Sequence, residues 1–528
     1  MMNTGLSKSR LMDWRQCPRK LWLKTHRPEL IDYDTDTETR FRIGFDVGER
    51  ARALYPTGLL IDEPDLTAAL KQTQTALREY PNRPLFEATL AHQGVLVRVD
   101  LLLPETRGTY RLIEVKASTG VKAQHIEDAA IQAWVTQSTV ALSEVALAHI
   151  NNQFVYAGDN DYSDLFTITP ISDAIAPWLP EVPDWIAQAR AILSADEPHI
   201  APGEQCDTPY PCPFKAHCAE ASTTTAYPLN HLPRLSGWRR AGLEQLGISD
   251  IRDIPDDYPL TDLQQRITNV IRGGQIEHQP KVARIVNALP FPRYFLDFET
   301  SQCAVPIWTG TRPYQQLPVQ WSCHIELFPG TTVPQHFLLD KQADPMRAFA
   351  ESLILAVREP CDITLPSNTQ SRRMDAIFAV LDYPEAPHKG PILVYNAAFE
   401  KRILAELAQA LPDLAPALEG ISQRIIDLLP IVREHYYHPE MKGSWSLKSV
   451  LPTMAPHLSY EALGIGAGGE ASSAWQELLH PQTTPDRCEQ LRDALIDYCG
   501  LDTWAMLEMV RFLSKPSEQT ETLHTANH

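Results

Sequence analysis

Three groups of residues in this sequence have the types and spacing that metal chemistry requires. The first is Asp100 with Glu114-Val115-Lys116. Residues 94–103 (GVLVRVDLLL) and 110–116 (YRLIEVK) read as two strands joined by the polar turn 105–109. A hairpin brings Asp100 and Glu114 to one edge. A hard cation such as Mg²⁺ takes oxygen ligands, and two carboxylates with the Val115 carbonyl supply them. Lys116 shares a face with Glu114 because side chains alternate along a strand. Its ammonium can orient water and offset phosphate charge. Glu87, ahead of the first strand, is a further acidic candidate, and Gln132 on the following helix can contact the edge of the site. A lone D…ExK matches many unrelated chains. The apolar strands around it raise its weight, because chance carboxylates buried there are costly.

The second group is cysteine. Cys206, Cys212 and Cys218 stand at C-x5-C-x5-C, and Cys17 lies far upstream in WRQCPRKLW. Four thiolates suit a [4Fe–4S] cluster and also suit zinc. The spacing is wider than the C-x2-C of zinc fingers, which tilts toward a cluster, and unligated cysteines are the third alternative. Cys303, Cys323, Cys361, Cys488 and Cys499 have no ligand spacing and read as core thiols.

The third group lies in the C-terminal half. Asp297 and Glu299 share a strand face in YFLDFET. Tyr498 precedes Asp502 by four residues in DYCGLDTWAM, which stacks them on one helix face. Between these motifs ILVYNAAFEKRIL reads as a strand running into a helix, with Asn396, Phe399 and Glu400.

The elements that position these groups are legible in outline. A chain of 528 residues makes two to four domains at roughly 150 residues each. Helical patterns cover 5–27, 39–54, 66–79 and 124–142, and a strand follows at 144–150. Residues 219–231 read as a linker, a helical connector follows over 229–288, and a strand at 293 opens an α/β domain spanning 290–513. The polar tail 514–528 reads as disordered. No apolar run approaches a membrane span, and the first residues lack the apolar core of a secretory signal. A cytoplasmic protein with reduced cysteines is therefore expected. The net charge of −19 argues mildly against nucleic acid, but carboxylate-built sites need only a local basic footprint. Lys8, Arg10, Arg15, Arg19, Lys20, Lys24 and Arg27, interleaved with Trp14 and Trp22, form either such a footprint or a solvated amphipathic helix.

Cys17, the D…EVK motif, the helical Gln132 and the three later cysteines occur in an order that resembles RecB-like nucleases. More narrowly, it is similar to the iron–sulfur members of the PD-(D/E)xK superfamily, including CRISPR-associated and AddB-type enzymes. The likeness covers residues 1–220. It implies a restriction-endonuclease-like α/β core, Mg²⁺ or Mn²⁺, catalytic roles for Asp100, Glu114 and Lys116, and a [4Fe–4S] cluster on Cys17, Cys206, Cys212 and Cys218. Two departures stand out. Thr136 occupies the place of a tyrosine often found after the glutamine, and GERAR at 48–52 lies where some members carry a histidine.

The later motifs, D-x-E, N-A-x-F-E and Y-x3-D, resemble DEDD exonucleases of the RNase H-like fold, with an insertion at 360–388. Asp427 in IIDLLPIV and SLKSVLP from Ser446 resemble segments between the second and last motifs. The likeness implies metal binding by Asp297, Glu299, Glu400 and Asp502, with Tyr498 orienting water. Glu400 departs from the usual aspartate. The segment HLPRLSGWRRAGLEQLGISDIRDIPDD resembles a helix–hairpin–helix element. The combined expectation is a metal-dependent nuclease, DNA being the expected partner. The alternatives are an RNA-trimming exonuclease and a nucleic-acid-binding scaffold with one inactive module.

Overall fold

The computed structural model describes residues 5–33, 35–220, 225–339, 344–357, 390–460, 463, 465–466, 468–480 and 482–516. Cys361, the expected insertion at 360–388 and the tail from 517 onward lie outside them. The protein is mixed α/β. It divides into two compact units, Met1–Thr223 with Gln302–Gln315, and Thr224–Ser301 with Gln316–His528.

The N-terminal unit is built on a seven-stranded sheet in the order β2-β3-β4-β5-β6-β7, with β1 pairing on β4. The strands are β1 (Leu6–Ser7), β2 (Leu59–Leu60), β3 (Leu85–His92), β4 (Val95–Pro104), β5 (Tyr110–Lys116), β6 (Leu142–Ile150) and β7 (Phe166–Pro170). β3, β4 and β5 are antiparallel, whereas β5 and β6 are parallel. A parallel pair needs a crossover, and helix α5 below supplies it. The helices that matter to the site are α1 (Lys8–Gln16), α2 (Pro18–His26), α3 (Thr35–Ala53), α4 (Leu66–Glu79), α5 (Ala123–Thr136) and α6 (Val182–Ser194). Val95, Val97 and Val99 share a core with Ala129, Ala130 and Ala133 of α5. Leu101, Leu103 and Ile113 pack on the opposite side with Ala51 of α3. Burial on both faces explains why β4 is apolar almost throughout.

The pleat changes phase at the Glu87–Asp100 position. Leu85 and Ala88 face the α5 core while Phe86 faces the other, and β4 switches in the same way between Val99 and Leu101. Glu87 has a left-handed backbone, φ 54°, which side chains other than glycine adopt rarely. Glu87 is thus inside β3, not ahead of the first strand, and β3 itself was not anticipated.

The single helix expected over 5–27 is instead β1, α1 and α2. The break falls at Cys17, whose backbone is extended (φ −163°, ψ 119°) and which precedes Pro18 at the start of α2. A residue before proline is disfavoured in the helical region.

The C-terminal unit holds a five-stranded sheet in the order β11-β10-β9-β12-β13 and a separate pair β14-β8. Here β8 is Glu277–His278, β9 Arg293–Ser301, β10 Leu317–Phe328, β11 Thr331–Leu338, β12 Ile392–Val394, β13 Ile425–Asp427 and β14 Tyr436–Tyr437. β9, β10 and β11 form an antiparallel meander, and β12 runs parallel to both β9 and β13. Five helices concern the site: α7 (Pro345–Ala356), α8 (Ala398–Ala410), α9 (Leu447–Met454), α10 (Gly468–Leu478) and α11 (Pro485–Leu513). Tyr294, Leu296 and Phe298 of β9 pack on α7 and α8 through Phe349, Leu353, Ile403 and Leu407. Phe295 faces the opposite way, toward Met506, Met509 and Val510 of α11. Asp297 and Glu299 continue the Phe295 row by the strand alternation.

Residues of the expected connector, among them Leu229, Leu243, Ile251, Ile267 and Val282, share that second core with Phe295. The connector is therefore part of the C-terminal unit. Residues 302–315 belong with the N-terminal unit instead. No described helix is long and apolar enough to cross a membrane.

Candidate active site

In the C-terminal unit, Asp297 and Glu299 from β9 meet Asp502 from α11. One ligand oxygen from each lies within 4.8 Å of the others, and the three could hold a divalent metal ion. Three carboxylates in a largely buried place repel one another, and burial penalises their charge. Burial, reinforced by Asp502, lifts Glu299 to about 8. Burial lifts Asp502 to about 6, against the opposing effects of the Tyr460 hydroxyl and the Lys448 charge. Asp297 is pushed well above the usual carboxylate range by burial, then by Asp502, Glu299 and Glu400. The Cys499 thiol lies 3.7 Å from Asp297 Oδ2.

Tyr498 stands one turn before Asp502 on α11 and is buried. Burial and the neighbouring carboxylates hold both Tyr498 and Tyr460 above the ordinary phenol range. Both therefore stay protonated near neutral pH. Tyr460 donates to Asp502 Oδ1 at 2.5 Å. The Lys448 ammonium lies 5.1 Å from the Tyr460 ring centroid and 5.2 Å from that of Tyr498, within cation–π range. Tyr460 and Lys448 were not picked out from the sequence as site residues.

Glu400, on the first turn of α8, is outside the group of three. It is buried, its Oε2 has no hydrogen-bond partner, and burial with Asp427 raises it to about 8. Asp427 has a separate task. It accepts from the backbone N–H groups of Asn396 (3.0 Å), Ala397 (3.1 Å) and Leu429 (2.9 Å). Those bonds join the β12–α8 turn to the end of β13.

In the N-terminal unit, Asp100, Glu114, Lys116 and Gln132 come together. Asp100 Oδ2 accepts from the Val115 N–H at 2.7 Å. Lys116 donates to Glu114 at 2.6 Å and to Asp128 at 2.6 Å. The Gln132 amide donates to Glu114 Oε2. Lys8, from the first turn of α1, donates to Glu114 Oε1 at 2.8 Å. Burial alone would push Glu114 up, but the two ammoniums hold it well below the usual range. Asp100 moves the other way, raised by burial and then by Glu114. Such splitting marks two carboxylates suited to different protonation states. Glu87 lies 3.4 Å from Arg52 and lines a cavity of about 120 Å³ with Asp100, Val115, Phe45 and Gly48. Sequence reasoning missed Asp128. The signal was present, because Asp128 and Gln132 are four apart on one helix face, among the alanines and isoleucines that mark its buried side.

Cys17, Cys206, Cys212 and Cys218 line a single cavity with Lys20 and Phe214. All four thiols are free. Burial raises Cys212 and Cys218, and Cys206 and Cys17 add to both shifts. The donor set fits a thiolate-bound centre.

The basic residues around α1 and α2 are mostly paired. Arg15 forks onto Glu127 at 3.0 and 2.7 Å. Arg19 pairs with Glu197, and Lys20 and Lys24 both pair with Asp13. These pairs tie α1 and α2 to the rest of the unit and give most of the basic side chains an acidic partner.

Residues 294–446 match the family model of a domain of unknown function, DUF2779. The match takes in Asp297, Glu299 and Glu400 and ends before Lys448 and Asp502. No curated protein matches the chain.

Proposed function

We propose that this chain is a metal-dependent nuclease that hydrolyses phosphodiester bonds in DNA, with Asp297, Glu299 and Asp502 as metal ligands of its C-terminal module. The observation that carries this reading is the convergence of those three carboxylates within 4.8 Å. Isolated buried carboxylates at such separations are unfavourable, and a divalent ion relieves them. Bound Mg²⁺ or Mn²⁺ would supply Lewis acidity toward the attacking water and the leaving oxygen. The chain's own groups do the rest. Protonated Tyr498 orients the water. Tyr460 holds Asp502 in place. Glu400 keeps a buried oxygen without a hydrogen-bond partner, and its charge is felt at Asp297. The strand order β11-β10-β9-β12-β13, with metal ligands on the central strand, supports an RNase H-like reading of this unit.

The N-terminal unit supports a second, PD-(D/E)xK-type nuclease module. Its sheet carries Asp100 and Glu114 on adjacent strands with Lys116 bonded to Glu114. Gln132 fixes the other oxygen of Glu114. The four cysteines are read as ligands of a [4Fe–4S] cluster.

The test is digestion of end-labelled single- and double-stranded DNA and RNA by purified protein with Mg²⁺ or Mn²⁺. Wild type should degrade DNA. Asp297→Ala and Lys116→Ala should each remove a separable part of the activity. RNA degradation alone would replace the reading by RNA trimming. Binding without cleavage would make the chain a scaffold.

A further inference from the structure

Lys448 is exposed and sits on the first turn of α9, after the Ser446 cap. Three observations separate it from an ordinary surface lysine. Its ammonium lies over both tyrosine rings of the site, 5.1 and 5.2 Å from their centroids. Its charge reaches Glu299 and Asp502, since it opposes the rise of both. Yet among the described residues it makes no ion pair with either. It donates to the Gly466 carbonyl instead. A lysine whose purpose is to neutralise these carboxylates would bond them directly, as Lys8 and Lys116 bond Glu114. Lys448 is held near the three carboxylates, and among the described residues its three donors have one acceptor, the Gly466 carbonyl.

We propose that Lys448 binds a non-bridging oxygen of the scissile phosphate, clasped in position by the faces of Tyr460 and Tyr498. The proposal rests on the reading of this site as a phosphodiesterase. In that reaction the water oxygen forms a bond to phosphorus and the bond from phosphorus to the leaving oxygen breaks. The water proton passes to solvent and the leaving oxygen takes a proton. The phosphate stays anionic throughout, and the ammonium offsets its charge. The two aromatic faces give a flexible stem a defined end point. Tyr460 couples the parts, because its ring supports the ammonium while its hydroxyl holds Asp502.

The experiment uses the full chain carrying Lys116→Ala, so that any cleavage comes from the C-terminal module. Lys448→Met keeps the stem and removes the charge, and Lys448→Arg keeps the charge. Binding of a labelled single-stranded oligodeoxynucleotide is measured with Ca²⁺, cleavage with Mn²⁺, and Mn²⁺ affinity by calorimetry. Loss of one charge-assisted bond should weaken kcat/KM by about tenfold to a hundredfold. The slope of log affinity against log salt should become shallower by about one phosphate contact. Lys448→Arg should recover most of both, while Mn²⁺ affinity stays equal or rises. If Lys448→Met cleaves and binds like its parent, or if it changes only Mn²⁺ affinity and melting temperature, Lys448 is a counter-ion or a tether and the proposal is overturned. If the parent and its Asp297→Asn form are equally inactive on every strand, the phosphodiesterase reading fails, and this assignment fails with it for that separate reason.

Discussion

The Tyr460 hydroxyl donates to Asp502 Oδ1 over 2.5 Å, so a loop residue braces a metal-capable carboxylate from a helix. This bond opposes the burial that raises Asp502. Tyr460→Phe should therefore leave Asp502 protonated to higher pH and weaken its grip on a cation. A hydrogen bond to a charged group contributes about 1.5–3 kcal/mol, so Mn²⁺ affinity near neutral pH should fall by roughly tenfold or more. Tyr498→Phe should slow turnover and leave Mn²⁺ affinity nearly unchanged, because that tyrosine is assigned to water. Calorimetric titration of both variants decides it, and equal losses of affinity would remove the distinction.

Metal binding and pH should be linked in a definite direction. Glu299 and Asp502 titrate at about 8 and about 6 in the folded chain, above their ordinary values. The folded state holds these protons more tightly than the unfolded one. The stability they contribute is complete below the ordinary carboxylate range and is lost as pH rises through about 6 and then about 8. Metal-free protein should therefore melt lower at pH 8 than at pH 6, with other groups held equal. Added Mn²⁺ should raise the melting temperature more at the higher pH, because it displaces protons and binds only the native site. Glu299→Gln should stabilise metal-free protein at pH 8 by on the order of 1–4 kcal/mol and abolish the metal response. Melting curves that do not depend on pH in this window would contradict the buried triad.

The carboxylates that converge were legible in the sequence and their supporting partners were not, and the reason is physical. Asp297 and Glu299 announce themselves because two carboxylates interrupt an apolar strand. Asp502 and Tyr498 share a helix face at a spacing of four. The strands carrying Asp100 and Glu114 read directly from their apolar patterns. Tyr460 and Lys448 have no such signal. Tyr460 stands in a loop without periodicity, and Lys448 is one exposed lysine among many until two ring faces are placed beneath it. Lys8 was legible as a charge, but its bond to Glu114 spans 106 positions. The break at Cys17 was available from Pro18, yet the helical pattern on both sides concealed it.

The thiolate site should be visible by eye. Anaerobically purified protein should be brown, with iron and sulfide in near-equal amounts and broad absorption near ~400 nm. Cys212→Ala should bleach it. The centre would tie the start of α2 to residues 206–218, so its loss opens a loop of nearly the whole N-terminal unit. Melting of that unit should fall accordingly, while the pH-dependent Mn²⁺ response of the C-terminal triad persists. One zinc per chain with no iron would replace the cluster by a mononuclear site.

Lys116 and Lys8 converge on the same oxygen of Glu114, with Lys116 at 2.6 Å and Lys8 at 2.8 Å. Both also reach Asp128. Removing either leaves buried carboxylates short of a cation, which costs about 3–5 kcal/mol when a buried pair is broken outright. Two cations on one site should share that cost, so each methionine variant should lose less, and the double variant more than the sum of the singles. Activity should separate them. Lys116→Met should abolish cleavage by this module, and Lys8→Met should retain part of it. Strict additivity in a double-mutant cycle would show that the two lysines do not share Glu114.

Glu400 carries the last prediction. Its Oε2 is buried without a hydrogen-bond partner, and burial raises the group to about 8. A buried carboxyl oxygen without a partner is costly to keep, and a cation would supply the partner. Glu400 contributes to the rise of Asp297, so its charge is felt at the group of three. It stands outside the group of three. Two outcomes can be told apart. If Glu400 completes a second metal position, Glu400→Gln should change the Mn²⁺ dependence of cleavage from a two-ion to a one-ion form and reduce the rate by about a hundredfold or more. Glu400→Asp should then alter the rate in either direction while keeping the two-ion dependence. If Glu400 serves only the fold, both variants should keep the wild-type metal dependence, and Glu400→Gln should raise the melting temperature at pH 8 by removing a buried charge. Measuring cleavage rate against Mn²⁺ concentration for wild type and both variants, in the Lys116→Ala background, decides between them.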